Sequence, residues 1–264
     1  MRARSVLISA ISAFFTAAAL FQNTAAAAGT EVKYTDGLTT LKGYFAPADR
    51  PKGAIVIIPE WWGLNDYAKT RANELAKLGY STLAADMYGD GQTTSDPNVA
   101  KALSAPFYSD TALMVRRVQK GFDALSAQNG VDKNKIVVIG YCFGGTSALQ
   151  FGISGGAAKG VAAFHGGLKI GAPADPAKVT AKFIVMEGED DSFVPPEERA
   201  AFKKVLKDSK IDFTWIDYSG AHHGFSNPKA DSYKIPGLAY SKSADLQSSG
   251  HLQLFLYRAL HQSQ

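Results

Sequence analysis

The chain has 264 residues, 46% hydrophobic and 20% charged, a balance that excludes a disordered polymer and suits one α/β domain with a sizeable core. Its formal charge is only +4, and no basic cluster interleaved with aromatics appears, which argues against a nucleic-acid partner. A single cysteine, Cys142, excludes an intramolecular disulfide.

The N-terminus differs in kind from the rest. Met1-Arg2-Ala3-Arg4 is a basic start, Ser5 to Phe21 is apolar, and Thr24-Ala25-Ala26-Ala27-Ala28-Gly29 offers small-x-small cleavage sites. That is the build of a secretory signal peptide. The apolar run is near the lower limit for spanning a bilayer, and no charged anchor follows it. Arg2 and Arg4 are not adjacent, unlike a twin-arginine signal. The expectation is a cleaved leader over residues 1–28, one domain over residues 29–264, and an exported chain, periplasmic or secreted, with no membrane anchor after cleavage. The leader holds two arginines and no acid, so the mature surplus falls to +2. A lone thiol kept in an exported chain risks oxidation, which favours a chemical role for it.

Past the leader, strands and helices alternate. Glu31 to Thr35 and Leu41 to Ala46 read as an antiparallel pair of short strands. Gly53 to Pro59 is a continuous apolar run, the mark of a strand covered on both faces. Asn65 to Leu78 has helical spacing and stops at Gly79. Tyr80 to Ala85 is the next strand, Met87 to Pro97 a loop, and Asp110 to Ala127 an amphipathic helix. Lys135 to Gly140 is a buried strand followed by a helix over Gly145 to Gly152. Gly160 to Phe164 and Ala181 to Met186 are buried strands, and Pro195 to Lys207 is a surface helix that opens on proline. Ile211 to Tyr218 alternates like an edge strand, Ser219 to Ala239 is a long loop, and Asp245 to His261 a closing helix. The pattern predicts an α/β fold, a mostly parallel central sheet with helices on both faces.

In such sheets function gathers beyond the carboxyl ends of the strands. There the sequence places Glu60-Trp61-Trp62, Asp86-Met87-Tyr88, Tyr141-Cys142-Phe143, His165, Glu189-Asp190-Asp191 and His222-His223. Gly140-Tyr141-Cys142-Phe143-Gly144 fits G-x-nucleophile-x-G directly after an apolar strand. This turn strains its central residue and requires small residues two before and two after. It sets the thiol at a helix N-terminus, whose partial positive charge favours thiolate, and aims the Phe143 N–H at the oxyanion of an attacked carbonyl. The alternative is a glycine-rich turn with a buried cysteine. A nucleophile needs a base and the base an orienting group. The downstream candidates are Asp190 or Asp191, then His222 or His223, in nucleophile–acid–histidine order. Residue type alone does not choose within either doublet.

These residues carry a resemblance. The chain resembles the dienelactone hydrolase family, cysteine-dependent α/β-hydrolases, through GYCFGG at 140–145, G-x-x-D-x-x-V-P at 188–195, Y-x-G-A-x-H-G-F at 218–225 and IIPEWWG at the end of the first buried strand. The resemblance implies the α/β-hydrolase fold, Cys142 as nucleophile, Asp191 as triad acid and His223 as base. It implies that Glu60 helps control ionisation of the thiol and that the N–H of Trp61 is the second oxyanion donor. Tyr88, His165 and Trp62 are expected in the substrate pocket. Asp190 and His222 are expected as a solvated carboxylate and a surface imidazole.

Two arginines that hold a substrate carboxylate in the characterised family members are absent. Asp86-Met87-Tyr88-Gly89-Asp90 and Gly224-Phe225-Ser226-Asn227-Pro228 stand in those regions, and neither aspartate nor asparagine replaces arginine's bidentate grip. The expected partner is a small-molecule ester or lactone, with a neutral or bulkier ester as the alternative to dienelactone. No metal or organic cofactor is implied, because the histidines do not fall at zinc-ligand spacing. A binding protein on the same scaffold is the non-enzymatic rival. A redox sensor lacks its resolving cysteine.

Overall fold

The computed structural model describes residues 29–261. The leader expected over residues 1–28 lies outside them. β1 (Thr30–Asp36) and β2 (Thr39–Ala46) form the antiparallel lead-in. β3 (Gly53–Ile58), β4 (Tyr80–Ala84), β5 (Ile136–Tyr141), β6 (Gly160–Phe164), β7 (Lys182–Gly188) and β8 (Phe213–Tyr218) follow. All belong to one eight-stranded sheet in the order β1-β2-β4-β3-β5-β6-β7-β8. β2 meets β4 antiparallel, and every pair from β4 through β8 is parallel.

Helices cover both faces, which is why β3, β5 and β6 are buried along their whole length and carry no charged residue, rather than alternating. Ala54, Val56 and Ile58 face one layer with Val138, Ala163 and Val185. That layer is completed by α3 (Thr111–Ser126), α4 (Phe143–Ile153) and α5 (Pro196–Asp208) through Val118, Leu149 and Phe202. Ile55, Ile57, Val137 and Ile139 face the opposite layer, built by α1 (Asp66–Lys77) and the closing α6 (Lys242–His261) through Ala72, Leu75, Leu252 and Leu256. Asn65 caps α1, accepting from the Ala68 N–H at 3.3 Å, and Asp110 caps α3, accepting from the Leu113 N–H at 3.0 Å.

Two differences from the sequence reading bear on the site. Residues 98–109, left without an element between a loop and a helix, form α2 (Pro97–Ser109), capped by Asp96, which accepts from the Asn98 N–H at 2.8 Å. Its internal Pro106 hides it, because proline removes a ladder N–H and reads as a breaker. Only Ala100, Ser104 and Phe107 of this helix are buried, so its apolar stripe is too narrow to show as a period. The second difference is the start of α4 at Phe143 rather than Gly145. A single residue, Cys142, therefore reverses the chain between β5 and α4.

That crossing is tight. A Cβ on Gly144 would stand 2.1 Å from the carbonyl oxygen of Ile58, at the end of β3. By contrast, a Cβ on Gly250, inside α6, would meet nothing within 4 Å. Gly144→Ala is therefore expected to destabilise the protein by about 3 kcal/mol or more, and Gly250→Ala to stabilise it by roughly 0.5–1 kcal/mol. Urea unfolding of the two variants checks both signs.

Candidate active site

Each loop at the carboxyl end of the parallel strands supplies one part of the site. Cys142 follows β5 with φ 54° and ψ −118°, a conformation costly for any side-chain-bearing residue. It is held there on both sides. Its N–H donates to the carbonyl of Phe164 at 3.0 Å and to Nδ1 of His165 at 3.1 Å, and its own carbonyl accepts from the N–H of Thr146 at 3.1 Å. A Cβ on Gly140 would fall 1.9 Å from the Gly144 carbonyl oxygen, so the glycine two residues before the thiol is a steric requirement. The thiol is half-buried and opens on a cavity of about 680 Å³.

The loop after β7 carries Asp191 and the loop after β8 carries His223; both are buried. His223 Nδ1 and Asp191 Oδ2 are 2.8 Å apart, and Asp191 Oδ1 accepts from the N–H of Phe193 at 2.8 Å. With Nδ1 engaged by the carboxylate, Nε2 is the ring nitrogen left for the thiol, and both Cys142 and His223 line the same cavity. Burial alone would push the imidazole down, but the Cys142 sulfur and the Asp191 carboxylate together hold it well above its ordinary 6.5. The structure thus joins Cys142, His223 and Asp191, the second member of each doublet. The first members face outward: Asp190 is exposed, and its carbonyl is 3.1 Å from Nδ1 of His222.

Phe143 is the first residue of α4, so its N–H has no acceptor within the helix. It lines the cavity with Trp61, the other expected oxyanion donor. Glu60 shares that wall although it is only 3% exposed. Its Oε2 accepts from Nδ2 of Asn227 at 2.7 Å. Burial pushes its carboxyl up to about 7, against the opposing pull of Asn227, His223 and Arg71. Asn227, in the region where the family carries an arginine, is therefore engaged with Glu60. In the other such region, Asp86 accepts from the N–H groups of Lys42, Tyr88, Gly89 and Gly91 at 2.8–3.0 Å, and so organises its own loop.

Most of the rest of the wall is apolar or aromatic, with Lys101, Ser104 and Ser109 contributed by α2. Trp61, Trp62, Tyr108 and Phe193 line the cavity together with Ile235 and Leu238, and Lys101 is its basic residue besides His223. Trp62, expected there, also stacks on Tyr233 at 4.1 Å between centroids. Two expected pocket residues lie one layer deeper. Tyr88 bonds the Trp61 carbonyl through its hydroxyl at 2.9 Å and packs on Phe143. His165 is fully buried behind the turn. A strand-end position alone does not tell which side of the loop a ring takes.

Sequence reading missed Glu187 as well. It lies in β7, was counted outside that strand, and is fully buried. Its Oε1 accepts from the N–H of Gly166 at 3.2 Å, while Oε2 has no partner. Burial first, then the nearby Asp191 carboxylate, raise it well above its ordinary 4.5. No group of three or more histidine, cysteine or acidic side chains placed to hold a metal occurs among the described residues.

A strained strand-to-helix turn carrying a thiol, an imidazole and a carboxylate at the carboxyl edge of a mostly parallel sheet define an α/β-hydrolase. The dienelactone hydrolase family model matches residues 41–255, and the chain belongs to that family of hydrolases. It is 37% identical to a dienelactone hydrolase-like promiscuous phosphotriesterase from metagenomic libraries, with a TM-score of 0.82 over 86% of this chain and 96% of that one. It is 26% identical to a Bradyrhizobium protein named "Probable 2-oxo-3-(5-oxofuran-2-ylidene)propanoate lactonase", over 69% of this chain and 76% of the relative. A protein of Aquifex aeolicus provisionally named carboxymethylenebutenolidase is 27% identical, over 79% of this chain and 91% of the relative.

Glu187 gives a pH-dependent signature. An acid whose folded pKa is raised binds more protons folded than unfolded, so it lowers stability progressively as pH rises above its ordinary value. The melting-temperature difference between Glu187→Gln and wild type is expected to move in favour of the variant from about pH 4 to about pH 8. A difference that stays constant over that range would mean Glu187 ionises normally.

Proposed function

We propose that the protein hydrolyses ester or lactone bonds of neutral substrates through a cysteinyl acyl-enzyme. The observation that carries this reading is the convergence on one cavity of Cys142 on its positive-φ turn and His223, with Asp191 2.8 Å behind the ring. The sulfur attacks the carbonyl carbon while the N–H groups of Phe143 and Trp61 hold the oxyanion. The carbon–oxygen bond then breaks and the leaving alkoxide takes its proton from His223. Water next attacks the thioester and gives a proton to His223. The carbon–sulfur bond breaks, the acid leaves and the thiolate is restored. Glu60 controls the thiol: at neutral pH its buried carboxyl can hold a proton, so that a second full anion does not oppose the thiolate.

A neutral substrate is favoured over an anionic dienelactone by the wall itself. Asp90, paired with Lys42, and Asn227, held by Glu60, stand in the two regions where carboxylate-binding arginines would, a carboxyl group (Glu60) lines the cavity, and five aromatic residues with Val194, Ile235 and Leu238 give it a largely apolar wall. The likeness to a promiscuous phosphotriesterase favours a second reading in the same class, because a phosphotriester is also uncharged. We further infer export from residues 1–28. Expressed with its leader in a Gram-negative host, the protein is expected in the periplasm shortened near Ala28, and an uncleaved cytoplasmic chain would contradict this.

The mature chain is expected to hydrolyse p-nitrophenyl acetate and to prefer neutral aryl esters over anionic lactones. One equivalent of iodoacetamide should abolish turnover. His223→Ala should lose roughly 1,000-fold in kcat/KM and His222→Ala no more than a few-fold. Turnover that survives alkylation, or equal losses in the two histidine variants, would reject the mechanism. Tight substrate binding without turnover would favour the binding-protein reading.

A further inference from the structure

His165 has no part in the steps above, yet it is fully buried and both of its ring nitrogens are engaged. Nδ1 accepts from the N–H of Cys142 at 3.1 Å, a donor shared with the Phe164 carbonyl. Nε2 lies 2.8 Å from Oγ of Ser226, three residues after His223 in the loop that follows β8. Ser226 Oγ is in turn 2.8 Å from the Tyr67 hydroxyl, which donates to the Ser226 carbonyl at 3.2 Å. Every proton then has one place. Nδ1 receives an amide N–H and so carries none; the neutral ring has its hydrogen on Nε2 and donates to Ser226, Ser226 donates to Tyr67, and Tyr67 to the carbonyl.

We propose that His165 is a positioning residue: a neutral imidazole, locked in its Nε2–H form, that ties the nucleophile turn to the loop bearing His223 and sets the distance between sulfur and base from behind. This rests on the catalytic reading of Cys142 and His223. Three observations support it. The backbone at His165 is itself strained, with φ 42°, and such a conformation persists in a buried side-chain-bearing residue only where contacts over-determine it. Its ring stands edge-on to that of His223, with centroids 5.2 Å apart and planes at 64°, and edge-on to Phe225 at 5.0 Å. It is therefore a wall against which the base rests. The loop that carries it is pinned on its far side too, where Glu187 takes the Gly166 N–H at 3.2 Å.

The lock also accounts for charge. A proton on Nδ1 would set two N–H groups against each other, so His165 does not compete with His223 for the proton moved in each step. The titratable groups facing the ring are Cys142 on the turn, Tyr141 at the end of β5, His223 on the loop after β8, and Tyr67 and Arg71 on α1. Burial, followed by the charge on His223, keeps His165 well below its ordinary 6.5.

The test separates its two arms. In the first, nitrogen-detected NMR of the wild-type protein is expected to show His165 as the Nε2–H tautomer with no titration between about pH 5 and pH 9. This arm does not depend on turnover, and a ring that ionises in that window, or carries its hydrogen on Nδ1, overturns the inference even if the catalytic reading stands. In the second, His165→Leu is expected to lower kcat roughly 10- to 100-fold with KM nearly unchanged. His165→Asn should recover part of the loss, because its amide oxygen can replace Nδ1 and asparagine tolerates positive φ. Ser226→Ala should lower kcat, and His165→Leu combined with Ser226→Ala should cost less than the two losses multiplied. Equal kcat in the Leu and Asn variants, or fully multiplicative losses, overturns the inference. If His165→Leu does not fold, the Ser226→Ala and His165→Asn pair supplies the same comparison. Loss of all ester turnover in wild type would instead reject the catalytic reading and leave the tautomer result to decide this one.

Discussion

The whole site depends on a chain reversal made in one residue. β5 ends at Tyr141 and α4 begins at Phe143, so Cys142 alone must turn the backbone, and it does so at φ 54°. The turn exists only because Gly140 and Gly144 let main chain approach main chain where any side chain would collide, against α4 in one case and the end of β3 in the other. Its strain is held by hydrogen bonds to β6, to His165 and to Thr146. Because β3, β5 and β6 are neighbours in the sheet, the same packing that stabilises the core fixes the sulfur at the mouth of the cavity.

Around that sulfur three buried carboxyl groups are differentiated by their neighbours. Asp191 has both oxygens engaged by donors, the Phe193 N–H and the His223 ring, and so can orient an imidazole. Glu60 has one amide donor and is pushed up to about 7 by burial, which lets it change charge at neutral pH. Glu187 has a backbone donor on one oxygen and nothing on the other, and burial, then the neighbouring Asp191 carboxylate, raise it well above its ordinary value. The same chemical group thus meets three environments: two donors at Asp191, one amide at Glu60, and one backbone N–H of the His165 loop at Glu187. The difference lies in desolvation and hydrogen bonding rather than in residue type.

Much of this was legible in the sequence, for identifiable reasons. Continuous apolar runs such as Gly53 to Pro59 marked strands covered on both faces, and the glycines around Cys142 marked the turn, because both signals are local. The choice of Asp191 over Asp190 and of His223 over His222 came from the family resemblance; in the structure it follows from which side of each loop faces the sheet edge. What stayed illegible was non-local. α2 is hidden by Pro106 and a narrow buried stripe, although it supplies Lys101, Ser104 and Tyr108 to the cavity. His165 was visible as a strand-end residue, but its two partners lie 23 and 61 positions away in the chain. The engagement of Asn227 with Glu60 spans 167 positions, and no periodicity reports such a contact.

The most direct measurement is rapid-quench mass spectrometry of the protein mixed with a small neutral aryl ester. The account expects a transient mass increase equal to the acyl group, which peptide mapping locates on Cys142 and which decays at the rate of turnover. Steady hydrolysis with no adduct on that residue, or an adduct formed elsewhere at the catalytic rate, would contradict it.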